Sequence, residues 1–220
     1  MPASISGVIR RVQTVLQDAL GTRWDEVELL DWFNDARREF AVARPFEFAK
    51  RVAISLEAGP LQRLPAEAFQ LIRINCNLAS AAPRVPGRAI SLVEGRVLDA
   101  MNPSWQDAKH VPYARIAKHY AYEPNELDSF YVYPGNDGTG VVEASVAVLP
   151  VDATSTAEPI GVRDIFLNAL VDYVLYRAFS KDADHPGNAE RAAGHYAAFA
   201  GAVGAQAMSE NNSTPAGART

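Results

Sequence analysis

The spacing of apolar residues changes twice along this chain of 220 residues, and that change limits its fold more than any other feature. Over the first fifty residues, apolar side chains recur at intervals of three and four, the period of one helical face. Val8, Val12, Val15, Leu16 and Ala19 form one stripe, and Gly21 is placed to stop that helix. A second helix has a firmer start. Asp25 can cap it while Glu28 reaches back in a capping box, and Trp24 and Leu29 take the positions of a hydrophobic staple. Leu29, Leu30, Phe33, Ala36, Phe40 and Ala41 make its buried stripe, and Pro45 ends it. Acidic residues from Asp25 to Asp35 lie at its positive end, and Arg37, Arg38 and Arg44 toward its negative end.

From about Phe48 the pattern becomes that of strands, short and rich in β-branched and aromatic residues. Candidate strands are Arg51 to Leu56, Leu71 to Leu78, Arg88 to Val93, Arg115 to Tyr122, Phe130 to Tyr133 and Val141 to Leu149. Breaks fall at Gly59-Pro60, Pro83 to Gly87, Asn102-Pro103, Glu123-Pro124-Asn125 and Pro134 to Gly140, with short helical pieces near Ala66 to Phe69 and Val97 to Met101. After Pro159 the helical period returns. Ile165, Phe166, Ala169, Leu170, Tyr173 and Val174 predict a helix to about Ser180, and Lys181 to Gly187 turns the chain. A last helix carries Ala189, Ala192, Ala193, Tyr196, Ala197, Phe199, Ala200 and Val203, and its small side chains allow close approach of a neighbouring helix.

Neither terminal hairpin can bury two apolar faces alone, so the two are expected to pack together. The predicted class is α+β: a four-helix bundle from residues 1–46 and 158–208, with an antiparallel β-rich domain inserted at 47–157. Residues 209–220 contain no Leu, Ile, Val or aromatic side chain, cannot offset their ordering entropy by burial, and are expected to be flexible.

Composition excludes several classes of function. Hydrophobic residues make up 48% and charged residues 21%, the mix of a globular protein. A net charge of −5 argues against binding nucleic acid through overall charge. Cys76 is the single cysteine, so neither an internal disulfide nor a thiolate zinc site is expected. The longest uncharged apolar stretch, Tyr196 to Ser209, is too short to span a membrane, so no membrane partner is expected. Arg10 and Arg11 interrupt the place of a secretion signal, which predicts synthesis in the cytoplasm.

Few residues invite chemistry. His110, His119, His185 and His195 show no HExxH spacing. Asp182, Asp184 and His185 supply metal-type ligands within four residues, but a helix-to-helix turn explains Asp and Pro-Gly there on backbone grounds. Gly135-Asn136-Asp137-Gly138-Thr139-Gly140 resembles a phosphate loop only superficially, because strands flank it. It reads as a long hairpin tip, whose Gly135, Asn136, Asp137 and Gly138 are candidates to contact a tail protein or a neighbouring subunit. Ser91, Ser104, Ser129 and Ser145 lack a GxSxG elbow, and Cys76 sits inside a strand. Phe130-Tyr131-Val132-Tyr133 alternates, giving a strand with two aromatic sides: core on both, or an interface on one. No cofactor is expected. A small hydrolase or ligand-binding enzyme with a pocket between bundle and sheet is the alternative, and it requires converging polar groups that the residues do not reveal.

Several strings, in order, resemble tailed-phage adaptor proteins, the head-to-tail connector subunits related to tail tubular protein A. They are Arg23-Trp24, the run Glu28-Leu29-Leu30-Asp31-Trp32-Phe33-Asn34-Asp35-Ala36-Arg37-Arg38-Glu39, and Arg44-Pro45. Leu64-Pro65, Leu71-Ile72, Pro103 with Trp105, and Phe130 to Pro134 follow. The run Ala169 to Asp182, then His195-Tyr196 and Phe199, is the most specific. The resemblance implies a non-enzymatic structural subunit of the virion, a ring of twelve copies beneath the portal protein, with a tail or nozzle protein attached below. DNA would pass through its channel without specific binding, past a summed charge of about −60 for twelve copies at −5 each. It further implies that a C-terminal extension docks into the portal, here Ser209, Glu210, Asn211, Asn212, Ser213, Thr214, Pro215, Ala216, Gly217, Ala218, Arg219 and Thr220.

Overall fold

The computed structural model describes residues 3–123 and 126–213, with side chains omitted for 205–213. Within it the chain is α+β, with five α-helices and two sheets. It divides into two compact units, residues 1–47 with 150–220, and 48–149.

The first unit is helical. α1 spans Ile5–Leu16, capped by Ser4, whose hydroxyl accepts from the Gly7 N–H at 3.3 Å. It buries Ile5, Val8, Ile9 and Val12, whereas Val15 and Ala19, expected in the stripe, are exposed. The reason is its early end. Gln17 takes a left-handed conformation, φ 56°, and closes the helix four residues before Gly21. The Asp18 carboxylate then gathers the N–H groups of Thr22, Arg23 and Trp24 at 2.8–2.9 Å, and these bonds, led by Trp24, hold its pKa down.

α2 (Glu26–Ala43) is capped by Asp25, which accepts from the Glu28 N–H at 2.7 Å. The Glu28 carboxylate, expected to complete the box, pairs with Lys181. The buried stripe includes Trp32 and Asn34, both missed from the spacing, and Leu30 is only half-buried. α4 (Leu167–Lys181) buries Ala169, Leu170, Tyr173, Val174, Leu175 and Ala178; Ile165, before its start, faces solvent. It packs against α1, α2 and α5 (Asn188–Ser213). Phe40 of α2 meets Phe166 edge-on at 4.7 Å. α5 presents a narrow buried stripe of Asn188, Ala192, Phe199 and Val203, while Ala189, Ala193, Ala197 and Ala200 are exposed.

The second unit is a β-sandwich. One sheet has the order β1 (Ala49–Ser55), β8 (Val141–Val148), β3 (Ala68–Ser80), β4 (Val85–Ala89). The other runs β2 (Ala58–Arg63), β7 (Ser129–Asp137), β6 (His119–Ala121), β5 (Ser91–Leu92). Pairing is antiparallel except β5 with β6. Ile54, Leu71, Ile74, Val142, Ala144 and Val146 from the first sheet share a core with Tyr120, Phe130 and Val132 from the second. α3 (Gly95–Met101) and Trp105 cover the second sheet's other side, where Leu98, Trp105 and Ala121 cluster with Tyr131 and Tyr133. Both sides of the aromatic strand are therefore packed.

Six expectations in this unit need correction, two of them the breaks at Pro83 to Gly87 and Pro134 to Gly140, since β4 already begins at Val85 and β7 runs on through Asp137. Gly59-Pro60 is no break: both lie inside β2, at a bulge that Gly59 permits with φ +119°. Ala66 to Phe69 is not helical, since a turn from Pro65 delivers Ala68 directly into β3. Arg88 to Val93 splits into β4 and β5. Arg115 to Tyr122 shrinks to three strand residues because side-chain amides satisfy the preceding backbone. Asn77 donates to the Ala117 carbonyl and accepts from its N–H, and Asn136 donates to the carbonyls of Ala114 and Arg115.

On the first sheet, buried Glu143 pairs with Arg84, and Asn75 donates to it at 3.4 Å. Arg84 first, then Arg51 at longer range, hold this carboxyl below its ordinary pKa against the opposing effect of desolvation.

Two tests follow from this packing. Asn34 exchanges hydrogen bonds with the Ala153 backbone, donating at 3.1 Å and accepting at 2.9 Å. Asn34→Ala leaves both groups unsatisfied and is expected to cost about 1–3 kcal/mol in chemical denaturation, while exposed Val27→Ala stays within about 0.5 kcal/mol. Because Glu143 has a lowered folded pKa, its contribution is full above the unfolded value and fades as pH falls through the folded one. Glu143→Gln should lose about 0.5–1 kcal/mol at pH 7, an ion pair whose arginine is half in water, and show a shallower stability loss on acidification.

Candidate assembly surfaces

The most distinctive strings of the sequence face each other across α2 and α4. Arg177 binds Asp35 at 2.9 Å, and Asp35 also accepts from Arg38 at 2.9 Å. Arg38 in turn pairs with Asp152. One end of the seam has Lys181 on Glu28, its ammonium 5.3 Å from the Trp24 ring and 5.9 Å from that of Trp32. Ascending α2 from 28 to 35 corresponds to descending α4 from 181 to 177, the register of antiparallel neighbours. Burial raises the Tyr173 hydroxyl pKa, opposed by its bond to Arg177.

A second seam joins α4 to α5. His195 Nδ1 meets Asp172 at 2.9 Å while its ring stacks on Phe179 with centroids 5.6 Å apart. Tyr173 and Phe199 meet edge-on at 5.1 Å. These side chains are occupied in holding helices together. The sequence showed them as a motif; the complementary charges, acidic early in α2 and basic late in α4, were the available signal for their pairing.

The candidate metal ligands Asp182, Asp184 and His185 do not form a centre. Asp182 pairs with Arg23 and accepts from Asn188 at 2.8 Å, and both partners fix the α4–α5 turn. Among the described residues no group of three or more His, Cys, Asp and Glu side chains is arranged to hold a metal. A depression of about 360 Å³ lies beside this turn, lined by Arg23, Trp24, Phe179, Asp182, His185 and Arg191 among others. It lacks the nucleophile–base pairing that covalent catalysis uses. Cys76 is half-buried in β3, in register with Glu143.

The expected contact loop is smaller than its sequence suggested. Gly135 and Asn136 are buried within β7, leaving Asp137, Gly138 and Thr139 as the exposed tip. Asn136 is consumed by the hairpin: besides its bonds to residues 114 and 115, it accepts from the Gly138 and Gly140 N–H groups at 2.8 and 3.1 Å. A Cβ on Gly140 would lie 2.3 Å from the Asn136 amide, so that approach requires glycine. Asp137 accepts from the Thr139 N–H and hydroxyl, which with the hydroxyl bond foremost lower its pKa.

At the other extreme of the chain, α5 runs to Ser213, so Ser209, Glu210, Asn211, Asn212 and Ser213 are helical where a flexible segment was expected. Thr214, Pro215, Ala216, Gly217, Ala218, Arg219 and Thr220 lie outside the described residues, as do Pro124 and Asn125 of one expected break. From Ala197 to Gly204 the exposed residues of α5 are all Ala or Gly, while Glu190, Arg191 and Tyr196 are exposed nearer its start, and a Cβ added at Gly194, Gly201 or Gly204 would meet open space. No helix among the described residues is long and apolar enough to cross a membrane.

No curated protein matches the chain. A family of known proteins does: the model for the SU10 adaptor protein matches residues 3–219, including both helical signatures and the β unit between them. With its signatures spent on internal seams and nearly its whole length matched, the chain belongs to the SU10 adaptor protein family of phage structural adaptors.

Proposed function

We propose that the protein is a ring-forming subunit of the phage head-to-tail joint, twelve copies seated beneath the portal protein, with a tail or nozzle protein below. The observation that carries this reading is the family match across residues 3–219. In this reading α1, α2, α4 and α5 act as a four-helix bundle, the β unit is an insertion, and DNA leaves the head through the ring without sequence-specific contact. The work of the protein is mechanical and positional rather than catalytic, and its place is the virion.

The physical features on the page fit such a role. The charged side chains of the signatures pair with one another along the α2–α4 seam rather than facing outward alone. The small-residue face of α5, the tip at 137–139 and the sheet edges remain to meet partners. A closed ring joins subunits through two different complementary patches rather than one patch meeting itself.

The C-terminal segment, Ser209 to Thr220, is assigned to portal docking. Its first residues extend α5, so docking would lengthen or reposition a helix end rather than order the whole segment. Binding through twelve such segments multiplies a weak individual affinity.

Mixing the purified protein with portal and weighing the complex by mass photometry tests the assignment: a complex of about twelve copies is expected, and a chain that never joins portal would sink it. Deleting Ser209–Thr220 should leave the thermal melt of the helical unit nearly unchanged and weaken portal binding by more than about tenfold. Equal portal binding by the truncated chain would remove the docking role.

A further inference from the structure

The charge of this protein is divided unequally. The helical unit holds eleven Lys and Arg against sixteen Asp and Glu and so carries the whole net charge of −5. The β unit holds ten of each, yet they are not mixed. The strands of its first sheet, with the β3–β4 turn, carry Lys50, Arg51, Arg73, Arg84 and Arg88 against Glu143 alone.

Register fixes where these cations stand. Arg51 on β1 and Arg73 on β3 are both partners of Ser145 on β8, so the two share one face of the sheet, about 10 Å apart across two strand spacings. That is the outer face, since Val142, Ala144 and Val146 point into the core. Both arginines are exposed, and neither has a carboxylate within ion-pair distance among the described residues. Arg84 pairs with Glu143, which Arg51 feels at longer range. An open antiparallel face is ordinarily polar with mixed charge. This face carries Arg51, Arg73 and Arg84 against Glu143, an excess of positive charge that an acidic surface would neutralise.

An acidic surface of matching spacing lies on α2. Asp31 and Glu39 are exposed and free of ion pairs among the described residues, and eight residues of helix set them about 12 Å apart along the axis. Asp35 between them is already held by Arg38 and Arg177.

We infer that the outer face of the β1–β8–β3 sheet, through Arg51 and Arg73, docks on the acidic face of α2 of a second copy of this chain, at Asp31 and Glu39. This inference rests on the ring reading and supplies the two unlike patches that a closed ring requires. Complementary charge of this kind sets partner choice and register, and it weakens as salt screens it.

Self-association of the full chain, alone and on portal, is read by sedimentation velocity or mass photometry at low and high salt. Arg51→Glu with Arg73→Glu should reduce it more than about tenfold, and Asp31→Lys with Glu39→Lys should do the same. All four changes together should restore it, because each copy again offers complementary faces. Circular dichroism checks that every variant is folded. Wild-type assembly by the double variants, or a folded fourfold variant that stays dissociated, overturns the inference and leaves the adaptor reading intact. A chain that forms no oligomer with or without portal overturns both. If the arginine variant assembles normally but loses salt-sensitive binding to a duplex DNA probe, the face serves phosphates and the inference is wrong.

Discussion

The helical unit depends on the contact between α2 and α4, where the early and late parts of the chain meet. Its apolar layer supplies the driving force, with Phe33, Phe40 and Phe166 fully buried. That layer alone would not specify which turn of α2 opposes which turn of α4. Polar pairs at its edge do so, Asp35 accepting from Arg177 and Glu28 taking Lys181, while Asn34 ties α2 to the Ala153 backbone ahead of α4. A shift by one turn would part both pairs. The pairs mark the register, while burial supplies the energy.

Much of this was legible from the chain. The change of period marked helices at both ends and strands between, and the Asp25 cap was found at the residue predicted. Most of the failures share a physical origin. Asn34 sits off the apolar stripe and is buried by its contact with distant Ala153, which local spacing cannot register, whereas Trp32, three residues after Leu29 and four before Ala36, lies on the stripe. The expected strand from Arg115 lost its ladder to the amides of Asn77 and Asn136, residues 38 positions upstream and 21 downstream of it. Gly59-Pro60 reads as punctuation because a bulge and a turn use the same residues. Of the candidate site, the family resemblance was visible in ordered strings, whereas the occupancy of Asn136 inside its own hairpin needed three dimensions.

The β unit spends its side chains differently on its two sheets. The second is packed on both sides, against the shared core and against α3 with Trp105, and its Tyr131 and Tyr133 are used there. The first has a covered side and an open one, and Glu143, Asn75 and Ser145 form a polar network on the open side. Such a layout concentrates specific contact on one surface while the other supplies rigidity.

The last helix has a property that follows from its three glycines. Each of Gly194, Gly201 and Gly204 lowers helical preference by about 1 kcal/mol relative to alanine, and inside the subunit none gains a close neighbour in exchange. What keeps the helix wound is the stripe of Ala192, Phe199 and Val203 against the rest of the unit. Unwinding that passed Val203 would expose core surface, so this helix holds its form by what it packs on rather than by its own preference.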